Sequence, residues 1–148
     1  MTPQEILREK GLKNTELRRR VLSLLLEKQD PLSHVEIFEE LASAGQALDR
    51  VTLYRTLSAF SEARIVHKVQ GTDGTVRFRL LRASSGDGCL GNHPHFLCRK
   101  CGRMSCLLEQ PLPRVDVPAG SVVEGKQLLV FGLCGDCAAN KKTEETVL

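Results

Sequence analysis

Residues 33–60, which read SHVEIFEELASAGQALDRVTLYRTLSAF, decide the fold of the N-terminal half of the chain. Ser33 followed three positions later by Glu36 is a capping box, and it predicts a helix that ends at Gly45. The predicted apolar face of this helix is formed by Val35, Ile37, Phe38 and Leu41. Asp49 can cap a second helix over residues 51–63, in which Leu53, Leu57 and Phe60 lie on one face. Two helices joined by so short a turn are typical of a helix-turn-helix.

The flanking segments predict the rest of a winged helix. Two earlier helices are expected, one over residues 3–10 and one that begins after a cap at Asn14 or Thr15. Residues 65–70 and 76–81 are short and partly alternating in polarity, and the letters GTDG between them are a strong hairpin signal. We therefore predict an N-terminal winged helix-turn-helix whose fourth helix enters the major groove of DNA.

The composition is typical of a soluble globular protein. Of the 148 residues, 41% are hydrophobic and 26% are charged, and no apolar run approaches the roughly 18 residues that a membrane helix needs. The charged N-terminus MTPQEILREK argues against a secretory signal, so we expect a cytoplasmic protein with no membrane partner. Aromatic residues reach only 4%, which argues against an aromatic platform for stacking bases.

Charge and cysteine content divide the chain into two modules. The whole net charge of +3 arises in residues 1–82, and all six cysteines lie in residues 83–148. We predict a winged-helix DNA-binding domain at 1–82 and a Gly/Ser-rich hinge at 83–92. A metal-holding domain at 93–140 and a flexible tail at 141–148 are expected to follow.

The strongest signal in the second half is a pair of CxxC motifs. Cys98 and Cys101 form one motif and Cys134 and Cys137 the other, with 32 residues between them. The strands expected around them are residues 96–99, 103–108 and 128–133. Two thiolate pairs complete a tetrahedral site that is closed to water, so we predict a structural Zn²⁺. The alternative is a redox dithiol, for which a single CxxC at the start of a helix is typical.

The other cysteines and three of the four histidines form a second candidate metal site. Its members are His67, Cys89, His93, His95 and Cys106. Imidazole and thiolate ligands favour a second, regulatory Zn²⁺ over Fe²⁺ or Mn²⁺. An ion held between the wing, the hinge and the metal-holding domain would fix the orientation of the two modules, as a switch requires. Other roles stay open for single residues: Cys106 as a core thiol, Cys89 as an exposed thiol and His67 as a surface residue of the wing.

Basic and polar residues on two of the predicted helices indicate a DNA-binding surface. Arg18 and Arg19 can neutralise phosphates without reading the sequence. On the fourth helix, Thr52, Tyr54 and Arg55 lie opposite the apolar stripe. Arginine can bond bidentately to guanine, and a tyrosine ring can contact the methyl group of thymine. The alternatives are a solvated helix face for the arginine run and a local salt bridge for Arg55.

Three stretches of the chain together resemble the ferric uptake regulator family. They are DRVTLYRTL at 49–57, IVHKV at 65–69 and HPHFLCRKCG at 93–102, and their order and spacing agree with the family over about residues 10–137. The resemblance implies an α+β protein with an N-terminal winged helix-turn-helix and a small C-terminal α/β zinc-containing dimerisation module. It also implies a homodimeric, metal-dependent transcriptional repressor of metal-uptake genes, which binds a double-stranded operator with an inverted repeat.

Within that family the chain most resembles the zinc-uptake-regulator branch. His67 stands where zinc sensors place a regulatory ligand, and Cys106 stands where many members have a glutamate ligand. The segment between the CxxC motifs is short and rich in proline where many members have a dimerisation helix. An iron- or peroxide-responsive regulator of the same family is the alternative, and a thiol oxidoreductase is a more distant one. No catalytic dyad is recognisable, so we expect no enzymatic activity.

Overall fold

The computed structural model describes residues 1–28, 30–45, 47–81, 93–107 and 109–140. The predicted hinge at 83–92, which includes Cys89, and the predicted tail at 141–148 lie outside the described residues. Within the described ranges no α-helix is both long enough and apolar enough to cross a bilayer.

Four helices form the first part of the fold. They are α1 (Pro3–Glu9), α2 (Glu16–Glu27), α3 (His34–Ser43) and α4 (Arg50–Glu62). The side chains of Thr15, Ser33 and Asp49 accept hydrogen bonds from backbone N–H groups in the first turns of α2, α3 and α4. Gly45, with φ of +85°, supplies the left-handed conformation just after the end of α3. The predicted helices are therefore confirmed. Their starts could be predicted because the capping residues act locally.

The wing is a three-stranded antiparallel sheet. Its strands are β1 (Leu32–Ser33), β2 (Val66–Gln70) and β3 (Val76–Leu80), in the order β1-β3-β2. The predicted hairpin of β2 and β3 is confirmed, with Val66 opposite Leu80 and Gln70 opposite Val76. Strand β1 is missing from the sequence-based prediction because a strand of two residues carries no alternation that could reveal it.

The helices and the wing share one apolar core. The predicted stripe of α4 is buried in it, and its members are Leu53, Leu57 and Phe60. On α3 the prediction is wrong for Val35, which is 54% exposed. Ile37 and Leu41 stand about one turn apart on the buried face of α3, whereas Val35 lies two positions before Ile37 and so points to the opposite side.

The C-terminal module is a small mixed sheet. Its strands are β4 (His95–Cys98), β5 (Met104–Cys106) and β6 (Leu129–Gly132), in the order β5-β4-β6. Strand β4 pairs antiparallel with β5 and parallel with β6. Residues 135–140 are helical, which the sequence did not predict.

The two modules contact each other beside the wing. Val69 of β2, Leu97 of β4 and Met104 of β5 form a small buried apolar cluster. The architecture is α+β as predicted, with a winged helix followed by an α/β module that carries a cysteine cluster.

Candidate metal centres and nucleic-acid interface

Four cysteines come together at one end of the C-terminal sheet. Cys98 ends β4, Cys101 lies in the following turn, and Cys134 and Cys137 lie just after β6. Their four sulfur atoms all lie within 4.8 Å of one another, and Sγ of Cys101 is 3.9 Å from Sγ of Cys134. All four are free thiols. The spacing of the two CxxC motifs thus places four soft ligands around one point, which fits a closed tetrahedral Zn²⁺ site.

The charge state of these thiols also fits a bound cation. The backbone N–H of Cys101 donates to Sγ of Cys98 at 3.5 Å, and this contact, together with the backbone N–H of Cys134, lowers the pKa of the Cys98 thiol to about 6. Sharing a proton with the neighbouring Cys134 thiol raises the pKa of Cys137 to about 12. Four thiolates this close together repel one another unless a cation lies between them. A bound divalent ion removes this repulsion.

A second cluster lies at the other end of β4. The candidate ligand atoms of His93, His95 and Cys106 lie within 4.8 Å of one another. His95 and Cys106 face each other across the β4–β5 ladder, and the rings of His93 and His95 are 4.7 Å apart. Both imidazoles are buried and Cys106 is half-buried. Two imidazoles and a thiolate are ligands that suit Zn²⁺, and a set of three leaves one tetrahedral position for a fourth ligand.

His67 lies beside this cluster, on the wing. Its ring centroid is 6.1 Å from that of His95, so the structure places it next to the three-residue group but not within it. Burial, and then the neighbouring His95, lower the pKa of His67 to about 4. His67 is therefore neutral at physiological pH, which is the form that binds metal. Cys89, the fifth predicted ligand, lies outside the described residues.

Sequence reasoning missed two buried arginines on β3. Arg77 and Arg79 stand directly opposite Val69 and His67 in the β2–β3 ladder, and both are buried. The alternation in VRFRL carries the relevant signal, since Phe78 packs into the winged-helix core while the arginines take the opposite face of the hairpin. That face is the one next to the C-terminal sheet, because Arg77 on it donates to the carbonyl of Gly102, and Arg79 puts a permanent positive charge near His67.

The predicted DNA-reading residues lie on the outer face of α4. Tyr54 is 63% exposed and Arg55 is exposed. Among the described residues no ion pair within 4 Å involves the Arg55 guanidinium. Hydrogen bonds from Thr52 chiefly lower the pKa of the Asp49 carboxyl group, and the positive charge of Arg55 adds to this effect. Thr52 is exposed, but its hydroxyl already donates to the carboxylate of Asp49 at 2.8 Å. Thr52 therefore completes the cap of α4 as well as facing outward.

The two predicted phosphate-contacting arginines lie at the start of α2. Arg18 donates through Nη1 to the carbonyl of Lys13 at 3.0 Å, and Arg19 donates through Nη1 to Oδ1 of Asn14 at 2.7 Å. Both side chains are half-buried and fold back onto the loop before the helix. The loop thus orients the two guanidinium groups.

Comparison with known proteins places this geometry in a family. The profile of the ferric uptake regulator family matches residues 9–116. The ferric uptake regulation protein of Bordetella parapertussis is 29% identical, over 93% of this chain and 97% of the relative. The fold is similar to that of the Vibrio cholerae ferric uptake regulator (TM-score 0.66, 22% identity, 88% of this chain and 98% of that chain). It is also similar to a zinc-bound manganese uptake regulator (TM-score 0.67, 20% identity, 90% of this chain and 99% of that chain). The chain belongs to the ferric uptake regulator family of metal-responsive transcriptional regulators.

Proposed function

We propose that this chain is a zinc-responsive, DNA-binding transcriptional repressor of metal-uptake genes, and not an enzyme. The observation that carries the proposal is the cluster of His93, His95 and Cys106, placed beside His67 where the wing meets the C-terminal sheet. We assign a regulatory Zn²⁺ to this cluster and to His67 and Cys89, and a structural Zn²⁺ to the four-cysteine site.

The donor chemistry favours zinc over iron and manganese. Fe²⁺ and Mn²⁺ sites are typically rich in carboxylate ligands, whereas thiolate with imidazole suits Zn²⁺. In the described part of the chain, no aspartate or glutamate joins the cluster around Cys106. The thiolate at position 106 is therefore the residue on which the choice of metal depends.

The position of the cluster explains how zinc supply can control DNA binding. His67 is on β2, which follows α4 directly, and His95 is on β4 of the other module. When bound, the ion supplies a cross-link between the two modules. These residues then hold the wing, and with it α4, in one orientation. To raise the population of the DNA-binding orientation from 1% to 99%, Zn²⁺ must bind that orientation about 5.5 kcal/mol more tightly than it binds the others.

Operator binding under controlled metal supply tests this function. The operator is first selected from random duplex DNA with the zinc-loaded protein, and its affinity is then measured with Zn²⁺, Fe²⁺, Mn²⁺ or a mild chelator. We expect tight binding with Zn²⁺, weak binding after chelation and little effect of peroxide. Equal affinity with and without the exchangeable ion contradicts the switch, and recovery by Fe²⁺ or Mn²⁺ alone contradicts the choice of metal.

Substitution of Arg55 by alanine should remove sequence-specific contact while leaving the fold intact. A bidentate contact to guanine is worth about 1–3 kcal/mol, so operator affinity should fall by roughly 5- to 150-fold. Arg19→Ala should instead weaken binding to all duplexes by the same factor. It should also reduce the slope of log affinity against log salt concentration by about 1. Arg114→Ala, which changes an exposed arginine of the C-terminal half, is the matched control. An unchanged preference for the operator in Arg55→Ala would show that α4 does not read it through this residue.

The C-terminal sheet supports a homodimer. Among the strands that the structure describes, β6 lies at an edge of the C-terminal sheet, and it exposes the apolar side chains of Val130 and Phe131, the latter to 51%. An exposed apolar edge of this kind invites pairing with another strand. We assign a second copy of the chain to this edge, and a two-fold dimer predicts an operator with an inverted repeat.

Phe131→Asp is expected to convert the dimer into a monomer, because it places a charge in the apolar edge. Sedimentation equilibrium of the zinc-loaded protein measures the mass directly. Val35→Asp changes an exposed valine of the N-terminal half and should leave the mass unchanged. A dimer that persists in Phe131→Asp would locate the interface elsewhere.

A further inference from the structure

One buried side chain connects the wing to the four-cysteine site. Arg77 of β3 is only 3% exposed. Its Nη2 donates to the carbonyl of Gly102 at 3.0 Å and to Oδ2 of Asp73 at 3.0 Å. Its Nη1 donates to Oδ1 of Asp73 at 3.3 Å and to the carbonyl of Thr75 at 3.4 Å. A guanidinium of the wing is thus bonded both to its own hairpin turn and to the opposite module.

The carbonyl that Arg77 binds belongs to the metal-ligating turn. Gly102 directly follows Cys101 and has φ of +77°, and its N–H donates to the carbonyl of Cys98 at 3.0 Å. Two thiolates that bind the same ion, one on each side of this turn, fix its shape. The position of the Gly102 carbonyl therefore depends on the ligands of the four-cysteine site.

Docking of Arg77 is sensitive to that position. Burying a guanidinium is unfavourable unless hydrogen bonds replace water, and Nε of Arg77 has no hydrogen-bond partner among the described residues. The bonds to Asp73 and Gly102 must therefore compensate for the water that is lost. Of the hydrogen bonds that Arg77 makes with the described residues, only the one to Gly102 crosses between the modules. A displaced Gly102 carbonyl therefore removes the part of the compensation that depends on contact between the modules.

The surrounding contact leaves little room for adjustment. A Cβ atom at Gly71 would lie 2.6 Å from Nη1 of Arg77 and 3.0 Å from Cδ2 of Leu97, so only glycine fits there without movement. Beside it, Val69, Leu97 and Met104 form the apolar cluster between the modules. The ion pair of Arg103 with Asp30 also crosses between the halves, but Arg103 is 64% exposed and the pair contributes little.

We infer that Arg77 is a positioning residue that locks the wing onto the turn between Cys98 and Gly102, so that the ion of the four-cysteine site orients the wing as well as stabilising the C-terminal module. The inference rests on the proposed structural Zn²⁺. It gives the wing a second attachment, which is separate from the regulatory cluster and does not require the regulatory ion.

Hydrogen exchange of the full chain, read by mass spectrometry over residues 66–80, tests the inference. Mild chelation removes the exchangeable zinc, and a stronger chelator then removes zinc from the four cysteines. We expect the exchange rate of the backbone amides in the hairpin to rise about tenfold or more when the four-cysteine zinc is removed. Arg77→Met should show this fast exchange already in its zinc-loaded form, with the four-cysteine ion still present by native mass spectrometry. Arg103→Met, which removes the exposed ion pair between the modules, should exchange like the unmodified chain.

The outcomes separate the inference from the function on which it rests. A chain that holds no ion at the four cysteines overturns the proposed structural zinc, and this inference with it. A chain that holds the ion but keeps the same hairpin exchange after its removal overturns the inference alone. Slow hairpin exchange in Arg77→Met also overturns it. Since loss of this ion is also expected to unfold the C-terminal sheet, faster exchange after strong chelation does not by itself identify Arg77. The comparison of zinc-loaded Arg77→Met with the zinc-loaded unmodified chain assigns the effect to the guanidinium, and native mass spectrometry shows that the variant still holds the four-cysteine ion.

Discussion

Replacing Cys98 by serine is expected to release the ion from the four-cysteine site and to unfold the C-terminal sheet. Cys98 ends the central strand β4 and is completely buried, and the lowered pKa of its thiol favours the thiolate that binds zinc. In zinc-finger peptides the binding of a structural Zn²⁺ contributes roughly 10–16 kcal/mol, much of it as folding energy. Urea unfolding should show a large loss of stability, and native mass spectrometry should show one zinc ion fewer per chain.

Cys106→Ser is the matched control for that experiment, because it also removes one zinc-binding thiol from the C-terminal sheet. We expect it to lose the exchangeable ion, to keep the chelator-resistant ion and to lose much less stability than Cys98→Ser. If Cys98→Ser were as stable as Cys106→Ser, the four-cysteine site would not hold the C-terminal module together.

Replacing His95 by alanine should abolish the response to zinc. His95 is buried, faces Cys106 across the β4–β5 ladder and has its ring near those of His93 and His67, so it is the central residue of the second cluster. Loss of an outer-shell partner already weakens metal binding 10- to 100-fold, so loss of this ligand should weaken the exchangeable zinc by about 100-fold or more. Competition with a fluorescent chelator measures this affinity, and operator binding should become weak and independent of added zinc.

His34→Ala is the control for the histidine substitution. His34 belongs to neither cluster, and its Nε2 lies 3.2 Å from the carbonyl of Arg50. It should therefore leave the zinc affinity unchanged. Strong exchangeable zinc binding in His95→Ala would mean that the regulatory ion is held elsewhere, and the proposal for this cluster would fail.

The features that could be predicted from the sequence are those whose cause is local. The caps at Ser33 and Asp49 fix the starts of α3 and α4 within a few residues, and the CxxC spacing brings the thiols of each pair together on one turn. The HPH spacing likewise places His93 and His95 side by side.

The features that could not be predicted depend on how distant segments meet. The sequence VRFRL shows that Arg77 and Arg79 share a face of the hairpin, but it does not show that the C-terminal module covers that face. Likewise, the sequence names His67 as a ligand but does not determine its distance from His95. Strand β1 is defined only by its two pairings with β3.

The shortness of β4 has a consequence for the two proposed metal sites. His95 begins this strand and Cys98 ends it, so three peptide steps, about 10 Å of extended chain, connect one ligand set to the other. Any coupling between the two proposed sites is reciprocal. The factor by which an ion bound at one site changes the metal affinity of the other site is the same in both directions.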